Sequence, residues 1–142
     1  MIGAARLASA LLILTVLASP DNTAEAVSVG RASAEAGEVA QIDAAAYQQM
    51  LDEATGEKGG AQSEEGDTIR VELSAESTVL FFTKADHPAH PSVISVTVRR
   101  EEGVPHILTD GWRGGDRRAF DDWFTAFVRR NAGIVRQWQR NN

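Results

Sequence analysis

The chain has 142 residues, 14 Lys and Arg against 20 Asp and Glu, a formal net charge of -6 and 43% hydrophobic residues. That length holds one domain, or one domain and a tail, and an acidic chain lacks the basic surface that nonspecific nucleic-acid binding requires. No cysteine is present, which excludes disulfides, thiolate metal sites and a cysteine nucleophile.

Residues 1–26 read as a secretory signal peptide. Arg6 gives a positive start, residues 7–18 (LASALLILTVLA) form an uncharged apolar run, Pro20 breaks any helix, and residues 24–26 (AEA) fit the small-x-small cleavage rule. The run falls short of the roughly 20 residues that span a bilayer. The expected product starts at Val27, is secreted or periplasmic, and has no membrane span after cleavage. The short positive start and the Ala- and Arg-rich composition point to a bacterial cell envelope.

The next stretch, residues 27–66, is acidic. Residues 27–77 carry three bases and eleven acids, whereas residues 78–142 carry ten bases and seven acids. Only Tyr47 among the aromatics precedes residue 80. Such composition predicts a largely flexible segment with little core of its own. One helix is expected near residues 44–55, capped by Asp43, with Tyr47, Met50, Leu51 and Ala54 in a single apolar stripe. A lone helix of that length is marginal in water, so it needs a surface. An open sheet face would serve, with Asp52 and Glu53 meeting arginines at its rim. Residues 27–40 read as a mobile tail and the Gly- and Glu-rich residues 56–67 as a linker.

Residues 67–142 read as a compact α+β domain: a small antiparallel meander of about four strands covered by a long amphipathic C-terminal helix. Ile69, Val71 and Leu73 alternate with polar residues, residues 78–83 (TVLFFT) are apolar on both faces, and Ile94, Val96 and Val98 share one side. Residues 100–103 (REEG) offer a hairpin turn into a fourth strand over residues 104–109. Asp116 then caps a helix whose Phe120, Trp123, Phe124, Phe127 and Val128 form an apolar stripe. Gly133 predicts a break or kink near residues 131–133.

Two clusters could carry chemistry. Asp86, His87 and His90 lie in a Pro-containing run, and His106 follows on the next strand. Imidazole and carboxylate bind zinc or copper, and a polyproline-type turn would return residues i and i+3 to one side. The second cluster is Trp112, Arg113, Arg117 and Arg118 around a Gly-rich helix start. Backbone N–H groups and arginines there suit an anion, and an exposed Trp suits a sugar or a protein. No Gly-x-Ser-x-Gly elbow or P-loop spacing is present.

The first reading is therefore an exported, non-enzymatic binding or interaction module of the cell envelope, with a protein partner or a second copy of itself. A periplasmic metal-binding protein using Asp86, His87, His90 and His106 is the second. A small hydrolase or carbohydrate-binding domain centred on Trp112 is the third.

Overall fold

The computed structural model describes residues 31–142; the expected signal peptide at residues 1–26 lies outside them. The elements run β1 (Ser33–Gln41), α1 (Ala44–Asp52), β2 (Ala61–Glu65), β3 (Thr68–Leu73), β4 (Thr78–Thr83), β5 (Ser92–Glu101), β6 (Val104–Arg113) and α2 (Arg117–Asn141). They form an α+β fold built on one six-stranded sheet in the order β1-β6-β5-β4-β3-β2. β2 to β6 are an antiparallel meander, and β1 closes the other edge parallel to β6. Residues Ala32–Asn142 make one compact unit. No helix among the described residues is long and apolar enough to cross a membrane.

The sheet thus has six strands and mixed pairing, not the four-stranded antiparallel meander that the sequence predicts. The two additional strands come from the stretches read as tail and linker. β2 (AQSEE) is exposed at every position, and β1 (SAEAGEVAQ) carries Ala, Gly and Glu with no apolar alternation. Edge strands are often short and charged, which guards against pairing with other chains, and such strands leave no hydrophobic period to read.

The β5–β6 turn is the two-residue hairpin expected, with Glu102 and Gly103 both at positive φ (53° and 83°). β6 runs four residues further than predicted, to Arg113, which pairs with Ser92. Trp112 therefore lies on a strand opposite Val93, not in a loop. The Asp110–Gly111 pair resembles a turn in sequence, but Gly111 has a packing role. A Cβ there would lie 2.6 Å from Cζ of Phe120, so the missing side chain lets α2 settle on the sheet.

Strand alternation gives the sheet two apolar faces. On one, Val71, Leu73, Leu80, Phe82 and Val93 pack beneath Tyr47, Met50, Leu51 and Ala54 of α1 and its terminal π-turn (Glu53–Glu57). The helix expected to need a surface has found this one. Asp43 caps it, accepting from the Ala46 N–H at 2.7 Å. Its acids do not meet arginines: Asp52 and Glu53 accept from Gln48 and Gln49 one turn back.

The opposite face carries Phe81, Ile94, Val96, Val98 and Ile107, with α2 above it. Phe120 is fully buried against Ile94 and Ala89, and Val135 packs on Ile107 and Ala32. Burying a side chain of this size stabilises by about 1.5–3 kcal/mol. α2 runs unbroken from Arg117 to Asn141, with no interruption at Gly133. The buried Asn131 amide donates to Thr109 Oγ1 at 3.0 Å and ties that turn to the sheet.

Candidate functional site

The four residues of the expected metal cluster sit in three places. The His87 ring packs on Trp123 of α2, 4.8 Å between centroids, and its Nδ1 accepts from the Ala89 N–H. The His90 ring packs edge-on against Tyr47 of α1, at 5.2 Å, on the other face of the sheet. The segment makes a tight turn, with His90 N–H donating to His87 C=O. It does not wind as a polyproline helix, so the two rings diverge. His90 Nδ1 lies 2.9 Å from the Thr83 carbonyl; a carbonyl only accepts, so this nitrogen carries the proton. His106 stands opposite Arg99, seven residues along β5 from Ser92, or about 23 Å. Its Nδ1 meets Ser33 Oγ at 2.9 Å and its Nε2 lies 3.8 Å from Glu101. Asp86 is exposed. Among the described residues no three His, Asp or Glu are grouped to hold a metal ion.

The Trp112–Arg118 cluster divides as well. Trp112 packs under α1 and lines a cleft of about 260 Å³ with Met50, Thr78, Ser95 and Thr97. The cleft's hydroxyls partly satisfy each other, since Thr78 and Thr97 share a 2.9 Å hydrogen bond. Arg113 ends β6 beside Gln41 and Ser92. Arg117 and Arg118 are exposed in the first turn of α2, where Arg117 faces Asp121 at 3.9 Å. The Asp116 carboxylate already accepts from the Ala119 N–H at 2.8 Å, in the position an anion would take. Gly115 is there because the 89–91 loop passes close: a Cβ would lie 2.5 Å from the carbonyls of Ala89 and His90.

The site that sequence reasoning missed lies on the α2 face. α2 lies nearest β6 and β1 and reaches β5 and β4 through side chains, Phe120 on Ile94 and Phe127 on Phe81, which leaves Val79, Val96 and Val98 beside it only half-buried. A groove of about 310 Å³ results. Its floor is Val79, Phe81, Val96, Val98 and Ile107, and its wall is Ile134, Val135 and Trp138 of α2. The three floor valines are half-buried, and Ile134 is 49% exposed.

Three arginines line this groove: Arg70 from β3, Arg100 from β5 and Arg130 from α2. Arg70 is paired, with Glu72 at 3.0 Å and Glu65 at 3.9 Å. Arg100 donates to the Gly103 carbonyl at 3.3 Å. The Arg130 guanidinium lies over the Phe127 ring, 5.5 Å from its centroid, and Phe127 packs on Phe81 at 4.7 Å. A cation is thereby fixed to the groove floor through two rings. The sequence held one signal for this site: β4 is apolar on both faces, so both faces of the sheet need cover, and one helix crosses each.

The titratable side chains that shift lie elsewhere. Burial pushes the Tyr47 phenol above its ordinary pKa, opposed in part by the nearby Thr83 side chain. Lys84 is raised by its 2.8 Å hydrogen bond to Glu64. Comparison with protein-family models, with curated proteins and with solved structures gave no match, so function is argued from this geometry.

Proposed function

We propose that this chain is an exported, non-enzymatic binding module of a bacterial cell envelope, and that its binding element is the groove between α2 and strands β3 to β5. One observation carries the reading: the longest helix of the fold lies to one side and leaves half-buried valines at the bottom of an open apolar groove. Ligand sites are concave and mostly apolar, with a few polar groups at fixed positions. The lining supports binding over catalysis. It contains no carboxylate, histidine, serine or threonine, and arginines stay charged and do not exchange protons near neutral pH. Export is supported by the composition of residues 1–26.

The test is titration with Nile red, a neutral dye whose emission shifts in apolar surroundings. Saturable, blue-shifted binding at one site is expected. Ile134→Glu places a charge on the exposed wall without touching the buried core, so it should remove that binding and leave the melting temperature unchanged. Equal dye binding by the variant, or no saturable binding by the wild type, would overturn the assignment of the groove.

A further inference from the structure

We infer that the groove takes the single alkyl chain of a free anionic amphiphile, a fatty-acid-type carboxylate, with its head group on Arg130. This rests on the groove being the binding element and specifies what it binds. The floor of Val79, Val96 and Val98 offers nothing polar to a ligand, so the buried part of the occupant is apolar and bound by area removed from water. The lining charges are all positive, so any charge on the ligand is negative.

Arg130 is the cation best placed to receive it. Among the described residues it has no carboxylate within 4.0 Å, whereas Arg70 has two. It lies over the Phe127 ring, 5.5 Å from its centroid, at the groove, and a guanidinium can take a carboxylate in a bidentate pair. Arg130 precedes Asn131, which is anchored to Thr109, so the site of the head group is set by the fold. Size selects the occupant further. About 310 Å³ is the low end of small-molecule sites, which run from roughly 300 to 1,000 Å³. A single chain suits that space better than a two-chain lipid.

Calorimetric titration of the full chain with dodecanoate, below its micelle-forming concentration, tests the inference against the neutral methyl ester. Dodecanoate should bind one to one and at least tenfold more tightly than the ester. Arg130→Gln should weaken dodecanoate about tenfold and leave the ester unchanged. Arg129→Gln, one residue away and outside the groove, should change neither. Equal affinity for acid and ester, or no effect of Arg130→Gln, would overturn the head-group assignment even where Nile red still binds. Sedimentation with phosphatidylglycerol vesicles separates a free amphiphile from a bilayer. The chain should stay in the supernatant, and co-sedimentation lost in Arg130→Gln would overturn the free ligand in favour of a membrane surface.

Discussion

The two faces of the sheet are covered in different ways. Under α1 the contact includes polar anchors. The Tyr47 hydroxyl donates to the Thr83 carbonyl, His90 Nδ1 donates to the same carbonyl, and Thr83 Oγ1 accepts from the Ser92 N–H at 2.9 Å. Under α2 the contact is chiefly aromatic, through Phe120, Trp123, Phe124 and Phe127 packed on each other and on Phe81, with one buried hydrogen bond from Asn131 to Thr109. Length accounts for the contrast. A nine-residue helix has little apolar area, and hydrogen bonds made out of water fix it at one register. A helix of 25 residues is held along one narrow line, from Phe120 through Asn131 to Val135, and its flank at Ile134 overhangs the sheet. The longer helix is therefore the one that leaves a groove.

Three substitutions on the α2 side would break this account if it is wrong, and the largest effect is expected at Phe120. Phe120→Ala removes a fully buried ring and should destabilise by about 3–5 kcal/mol in urea unfolding. Ile134→Ala, on the same helix at the groove wall, should stay within about 0.5 kcal/mol. Comparable losses at the two sites would mean that α2 is packed evenly along its length and that the groove is closed in solution. Gly111→Ala should fall between them, at about 1–3 kcal/mol, because the new methyl meets the Phe120 ring and the helix must lift. A neutral result would show that α2 approaches β6 less closely than described.

Much of this was legible in the sequence where a hydrophobic period existed. The stripe Phe120, Trp123, Phe124, Phe127 announced α2, the alternation at Ile69, Val71 and Leu73 announced β3, and the Tyr47–Ala54 stripe announced a helix in search of a face. What was not legible lacked such a period. β2 is exposed throughout and β1 is an Ala- and Glu-containing edge, held by backbone pairing that any sequence can make. Gly111 is a clearance for Phe120, which no hydrophobic period signals. The histidines were adjacent in sequence, but the turn at residues 87–90 sends one ring to each face of the sheet. The groove depends on α2 lying nearest β6 and β1, and the spacing of apolar residues along one helix does not encode a crossing line over strands distant in sequence.

A smaller effect than that at Phe120 sharpens the α1 side. Tyr47 is the one tyrosine of the chain, so tyrosinate absorbance near 295 nm reports this site alone. Burial raises its pKa from the ordinary 10.0, and the Thr83 side chain offsets that only in part. Folding therefore favours the protonated phenol. The stability this provides is fully present below pH 10, the unfolded value, and is lost as pH rises through the higher folded value. In the native chain the absorbance midpoint should lie above 10.0, and in urea it should return to 10.0. Tyr47→Phe should cost about 1 kcal/mol at neutral pH, from the lost hydrogen bond to Thr83, and should flatten the fall in stability above pH 10. A native midpoint at or below 10.0 would mean that water reaches the phenol, and α1 would then lie on the sheet without the polar anchor that holds so short a helix in place.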